Sequence, residues 1–329
     1  MKYNIVTFGS ATRDVFLLGE NLMAYNDKKF ETGKAFCFEV GSKNEVEQII
    51  FSTGGGATNA AATFSSMGLK CACVSSIGQD PNGEASVNEL KKLGIDTRYL
   101  NISNKENTGY SVLVSSQKVG GRMVIVYRGA SAKFNDIKIP KGISADWFYI
   151  TSLAGDIRFL NNIVQLAERK NIKIAINPGS KELKHGLKKL KPILKKISLI
   201  NLNQEEAAKL TGVSFNNIDK IIKKLVEVIG DGTVVITRGP QGLIACDGSE
   251  CYQAGILPGK VIERTGAGDS FGSGFVSGLI MKDSIEYAIQ LGSANATSVI
   301  KEVGAKNGIL NKSNISRIRK IKVNKYKLK

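Results

Sequence analysis

Several things are scarce in this chain, and each scarcity closes a class of function. His185 is the only histidine among 329 residues, and the five cysteines (Cys37, Cys71, Cys73, Cys246, Cys251) are odd in number and lack the CxxC spacing of a zinc module. They read as reduced core thiols of a cytoplasmic protein. No apolar run approaches the roughly 20 residues that span a bilayer, and the opening MKYNIVTFGS is a charged residue followed by a strand-like segment. The expectation is a soluble, unprocessed protein with no membrane partner. The turn after the first strand-like run reads GSATRD, without the GxGxxG of a nicotinamide dehydrogenase, and no GxxxxGK[ST] string of a P-loop NTPase occurs.

Acid is also in short supply. Lys and Arg number 46 against 29 Asp and Glu, a formal charge of +17, which would suit a nucleic-acid partner if it were focused on a recognition motif. It is spread instead over helix-like stretches such as Lys181 to Lys196 and over a segment after Asn311, where Lys312, Arg317, Arg319, Lys320, Lys322, Lys325, Lys327 and Lys329 meet no acid. Such runs are solvated faces, so nucleic-acid binding is not the expected role.

Short β-branched runs at Tyr3 to Phe8, Cys71 to Ser76, Trp147 to Ile150, Lys173 to Asn177, Leu199 to Leu202 and Thr233 to Thr237 read as buried strands. They alternate with helix-like segments at Asn59 to Met67, Gly83 to Lys92, Ile157 to Lys170, Glu205 to Thr211, Ile218 to Ile229 and Asp269 to Ile280. This is the α/β pattern of an open, mostly parallel sheet with helices on both faces, in which ligands gather at the carboxyl ends of strands. Two regions break the alternation. Residues 15–51 and 108–128 hold period-two runs such as SVLVSSQ and MVIVYR around the turn Lys118 to Gly121, and predict a small β-sheet lid. The expected division is a large domain over 1–14, 52–107 and 129–311, the lid, and a basic tail over 312–329. An apolar exposed lid face would favour a homodimer.

The segment VIERTGAGDSFGSGFVSGLI, Val261 to Ile280, carries the most chemistry. Glycines at 266 and 268 leave room for the amides of Gly266, Ala267, Gly268 and Asp269 to converge on an anion at a helix N-terminus, as phosphoryl transfer requires. Asp269 stands beside that hole, placed to accept the proton of an attacking hydroxyl. The plain alternative is an acidic cap above packing glycines. In GGGATNAAATFSSMGLKCACVSSIG, Gly54 to Gly78, Gly55 and Gly56 let backbone approach a ligand, and Asn59 offers a donor and an acceptor to vicinal hydroxyls. Its alternative is a flexible helix entry.

In these two segments the chain resembles the ribokinase-like (PfkB) carbohydrate kinase family. Gly54, Gly55, Asn59, Ala61, Gly68 and Gly78 match its amino-terminal signature, and GAGDSFGSGFV, Gly266 to Val276, its carboxyl-terminal one. The resemblance implies an open α/β domain with a β-sheet lid, use of ATP and Mg²⁺, Asp269 as base and Gly266 to Gly268 as anion hole. Asp14 in GSATRD resembles the family aspartate that holds two sugar hydroxyls, and a carboxylate after a first strand suits that role. NQEEA resembles the NxxE motif, which puts Asn203 and Glu206 near the phosphates and the water shell of Mg²⁺; otherwise the pair is a helix cap with first-turn acids. VVITRGPQG resembles the nucleotide-binding turn, with Thr237, Gly239 and Gly242 near ATP, and Asn295 in SANA resembles a residue lining the adenine pocket. Glu263 and Thr265, with Gly304 and Ala305 on a neighbouring loop, fall where the family often binds a monovalent cation, potassium, although the family usually has Asp then Thr at the positions of Glu263 and Arg264.

Gly56 stands where ribokinases and phosphosugar kinases often carry a lysine, and Arg122 and Arg128 on the lid are candidates for a substrate carboxylate or phosphate. Sugar, sugar acid and nucleoside are therefore all open as acceptors. The non-enzyme alternative is a catalytically silent relative that binds sugar or nucleic acid, against which stands the carboxylate kept beside an anion hole.

Overall fold

Runs such as Thr233–Thr237, in which four consecutive side chains are buried, have no polar face to turn to water and so belong in the middle of a sheet covered on both sides. The computed structural model describes residues 2–19, 24–30, 33–116, 121–140 and 142–328. In chain order the strands are β1 (Tyr3–Phe8), β2 (Thr12–Leu18), β3 (Ala24–Asn26), β4 (Lys34–Phe36), β5 (Gln48–Gly54), β6 (Cys71–Gly78), β7 (Leu100–Ser103), β8 (Gly109–Ser116), β9 (Gly121–Tyr127), β10 (Ala145–Ile150), β11 (Lys173–Ile176), β12 (Leu199–Asn203), β13 (Thr233–Thr237), β14 (Leu243–Asp247), β15 (Glu250–Ala254) and β16 (Val323–Lys327). The α-helices are α1 (Gly56–Ser66), α2 (Pro81–Lys92), α3 (Ile157–Arg169), α4 (Ser180–Leu183), α5 (Gly186–Leu194), α6 (Gln204–Thr211), α7 (Ile218–Ile229), α8 (Ala267–Lys282) and α9 (Ile285–Val299).

A ten-stranded sheet runs β16-β15-β14-β13-β12-β11-β10-β1-β6-β7, parallel from β13 to β7 and antiparallel from β13 out to β16. Strand order reverses between β1 and β10, so a crevice opens past the carboxyl ends of that pair. Two cores flank the sheet. One, around Phe8, Phe148, Ile200 and Ile236, is covered by α3, α5, α6 and α7; the other, around Ile5, Tyr149, Val235 and Phe275, lies under α1, α8 and α9. A second sheet, β5-β2-β8-β9, is the lid. Asp14 pairs with Ser52 and Ser111 across it, and Leu18 with Ser115, which in turn faces Arg122, so these residues share one face.

The expected strands and helices of the large domain are present. Of the expected lid turn, residues 118–120 lie outside the described residues, and Gly121 opens β9. Two expectations are corrected. Cys246 and Cys251 are not free thiols: the β14–β15 hairpin sets them directly opposite each other, with Cα atoms 4.1 Å apart, and they form a disulfide. Cys71 and Cys73 are buried free thiols, whereas Cys37 is only partly covered. The basic segment after Asn311 is likewise no loose tail meeting no acid. Its β16 closes the sheet against β15, and Lys325 pairs with Glu250 at 2.8 Å.

Among the described residues no helix is long and apolar enough to cross a membrane.

Candidate active site

The turn from Glu263 to Gly266 delivers the first amides of α8 to the mouth of the crevice. Gly266 takes a left-handed backbone, φ 80°, and a side chain there would collide with Ala305 of the neighbouring loop. The Ala267 amide donates to the Arg264 carbonyl at 3.2 Å, so it is committed to the turn. Among the described residues no acceptor takes the amides of Gly266, Gly268 or Asp269, and around Gly268 a side chain would meet nothing within 4 Å. An anion can therefore reach unpaired donors at the positive end of a long helix.

Asp269, in the first turn of α8, is half-buried beside these amides. Asn59 Nδ2, from α1, donates to its Oδ2 at 2.9 Å. Burial raises the Asp269 carboxyl above its ordinary value, the Asn59 bond works against that, the Asp14 charge adds to the rise and Lys306 opposes it. Asn59 Oδ1 is buried and has no hydrogen-bond partner, so an acceptor is left facing the site.

Asp14 comes in on β2, the strand that leaves the end of β1 for the lid, and is 7% exposed. Thr12 Oγ1 donates to its Oδ1 at 3.0 Å. Burial raises its carboxyl too, opposed by hydrogen bonds from Thr12 and Ser111 and by the charge of Lys306. Gly54 has no room for a side chain because Asp14 lies against it, and Gly55, at φ 97°, presses on the backbone of Ser10 and Ala11. The two glycine-rich segments and Asp14 thus meet in one place.

Asn203 and Glu206 form a capping box on α6: Asn203 Oδ1 accepts the Glu206 amide at 2.8 Å, and Glu206 Oε2 accepts the Asn203 amide at 2.9 Å. Burial raises the Glu206 carboxyl, and Asp269 is near enough to push it further. The plain reading as a cap is therefore present, with the acid still close to the site. Thr237, Gly239 and Gly242 shape the turn from β13 to β14, Gly242 being held against the Ala254 carbonyl at φ 81°. Asn295 is fully buried and spends both ends of its amide on backbone, donating to Ser270 O and accepting from Leu310 N at 2.9 Å each. An amide so engaged ties α9 to α8 and to the loop that carries Leu310. Glu263, 7% exposed, is ringed by donors: the Arg264 amide at 2.7 Å, the Thr265 amide and hydroxyl at 2.9 Å, and the Arg122 guanidinium. Burial alone would raise its carboxyl, but Thr265 and Arg122 outweigh burial and hold it below the usual range. Arg122 is engaged there, and Arg128 is exposed.

Sequence reasoning missed Lys306. Its ammonium, 5% exposed, donates to Glu89 Oε2 at 2.8 Å, to the Thr53 carbonyl at 3.0 Å and to the Thr53 hydroxyl, which itself donates to Glu89. It thus clamps β5, just before Gly54, to α2. Nothing in GAKNG signals this, because the partners lie on distant elements. A separate surface cleft, lined by Trp147, Lys173, Lys196, Glu227 and Asp231, lies at the opposite, amino-terminal ends of the strands and touches none of these groups.

The clamp gives an asymmetric expectation. Glu89→Leu leaves a buried ammonium short of its nearest counter-charge and should cost about 3 kcal/mol, whereas Lys306→Met leaves Glu89, which still reaches water, and Asp14 and Asp269, which can take up a proton, and should cost about 1 kcal/mol. Urea denaturation of the two variants checks the order, and equal losses would contradict it.

Residues 4–312 match the pfkB family carbohydrate kinase profile. The chain is 27% identical to the ribokinase of Haemophilus influenzae over 264 residues, 78% of this chain and 83% of that one. Among solved structures, the nucleoside kinase of Methanocaldococcus jannaschii superposes with a TM-score of 0.78 at 20% identity, covering 95% of this chain and 97% of the other. The Arabidopsis thaliana ribokinase complexed with ribose and ATP gives 0.74 at 20% identity, over 96% and 98%. With its two glycine-rich helix starts brought together under a β-sheet lid, the chain belongs to the pfkB family of carbohydrate kinases.

Proposed function

We propose that the protein transfers the terminal phosphoryl group of ATP to a hydroxyl of a sugar or sugar-bearing small molecule, with Asp269 as the base. The observation that carries this reading is a carboxylate held by Asn59 at 2.9 Å beside the uncommitted amides of Gly266, Gly268 and Asp269. The acceptor oxygen forms a bond to the γ-phosphorus, its proton passes to Asp269, and the bond to the β,γ-bridging oxygen breaks to release ADP. Charge gathering on the transferred group meets donors already in position. Asp14 and the free Asn59 Oδ1 are suited to accept from neighbouring hydroxyls of the same sugar.

No group of three His, Cys, Asp or Glu among the described residues forms a metal cage, which fits Mg²⁺ arriving with the nucleotide and keeping most of its water. Glu206 would hold that water shell, and the ion would offset phosphate charge; Thr237, Gly239 and Gly242 remain the candidate nucleotide turn. A cytoplasmic location, where ATP is available, goes with this reading. Ile49, Phe51, Ile125 and Tyr127, each about half exposed on one face of the lid, support pairing with a second copy.

Purified protein assayed for ATP consumption with pentoses, hexoses, sugar acids and nucleosides should phosphorylate at least one. Asp269→Asn should then lower kcat about a thousandfold with little change in either KM. A fully active variant would remove Asp269 from the reaction. The pH profile supplies a separate check. Because the base must be ionised and burial has raised its carboxyl, the acid limb of kcat/KM should fall at a higher pH than an ordinary aspartate would give. Asn59→Ala removes a bond that favours the charged form, so its limb should move higher still; an unmoved or lowered limb would show that another group is titrating.

A further inference from the structure

The position at which the family resemblance expects a monovalent cation is occupied by a side chain of this protein. One oxygen of Glu263, Oε1, accepts from the Arg264 amide at 2.7 Å, from the Thr265 amide and hydroxyl at 2.9 Å, and from Arg122 Nη1. The same guanidinium nitrogen also donates to Thr265 Oγ1. A metal ion there would need oxygen lone pairs turned towards it and a negative charge left over. Here the lone pairs of Oε1 point at N–H and O–H groups, and the charge of the carboxylate is already matched by an arginine. A carboxylate so engaged does not fit the ion.

The two ends of this contact belong to different parts of the molecule. Arg122 sits on the edge strand β9 of the lid, on the face it shares with Asp14. Glu263 begins the turn that ends at Gly266, and its own amide and that of Ile262 are pinned to the Ile300 carbonyl at 3.2 and 2.8 Å. A groove lined by Leu18, Gly19, Gln48, Ser115, Ile262 and Glu263 runs between the lid and that turn, so the end of the lid overhangs the contact. Arg122 is 38% exposed and Glu263 7%, which leaves the carboxylate dependent on this one ion pair for its counter-charge among the described residues.

We propose that Arg122 is a cation built into the chain: a lid-borne positioning residue that neutralises Glu263, holds the Glu263–Gly266 turn in the shape the anion hole needs, and makes a monovalent metal ion unnecessary. Seating of the lid and formation of the hole are then one event, because both rest on the same guanidinium. The link to catalysis depends on the kinase reading; the latch itself does not.

Hydrogen exchange of the full chain, followed by mass spectrometry in potassium chloride and in tetramethylammonium chloride at equal ionic strength, separates the two. In the unaltered protein, peptides covering residues 262–268 should exchange at the same rate in both salts. Arg122→Met should speed exchange there about tenfold, the loss of a charged hydrogen bond, while Arg128→Met on the same lid leaves it unchanged. Slower exchange of the unaltered protein in potassium would reveal an open ion site and overturn the proposal, and this arm needs no variant to fold. Unchanged exchange at 262–268 in a folded Arg122→Met would overturn it equally. With an acceptor in hand, turnover should be the same in both salts, and Arg122→Met should lower kcat with little change in acceptor KM. If no acceptor is phosphorylated, the kinase reading fails and the exchange measurements still decide the latch.

Discussion

One hydrogen bond spans 210 residues of sequence and holds the site together: Asn59 at the start of α1 donates to Asp269 at the start of α8. Each helix begins at a glycine with positive φ, Gly55 at 97° and Gly266 at 80°, so each chain segment turns sharply into its helix. Both helices lie on the same side of the sheet and pack on each other, which brings their amino ends to one point above the strands. The bond also sets the electrostatics. A half-buried carboxylate near a second one, Asp14, would be costly to keep ionised, and the Asn59 amide together with the Lys306 ammonium offsets that cost.

The large domain was legible because its signals are local. Ile218–Ile229 shows its buried side chains, Ile221, Ile222, Leu225, Val228 and Ile229, at helical spacing, and Thr233–Thr237 is a short β-branched run; both elements stand where the pattern puts them. Helix α9 was not read, because Ala288, Leu291, Gly292, Ser293, Ala294 and Asn295 are all buried and leave no clean polar face to set a period. The β14–β16 extension escaped for a related reason: Cys246 and Cys251 are apolar positions in either oxidation state, and only the hairpin register makes them a pair.

The candidate site shows the same division. Gly54, Gly55, Asn59, Gly266, Gly268, Asp14 and Asp269 could be picked out because glycine and carboxylate at those spacings have a chemical meaning along the chain, and they meet in the fold. Asn295 is as conspicuous along the chain, and in the fold its amide bonds the backbone of Ser270 and Leu310. Lys306 and Arg122 are the converse. Each is an ordinary basic residue in a lysine-rich chain, and what distinguishes it, Glu89 and Thr53 for one and Glu263 and Thr265 for the other, is contributed by remote segments.

The outermost strand of the main sheet, β16, ties the excess of positive charge to the architecture. An open sheet edge carries unpaired N–H and C=O groups that invite another chain to add on, and lysines along the edge oppose this. Lys322, Lys325 and Lys327 lie in or beside that strand, and of these Lys325 is paired with Glu250 of β15. Two such borders repel one another, and desolvating ammonium groups is expensive, so the basic carboxyl-terminal segment acts as a guard against edge-to-edge aggregation at this border of the sheet, the one opposite β7.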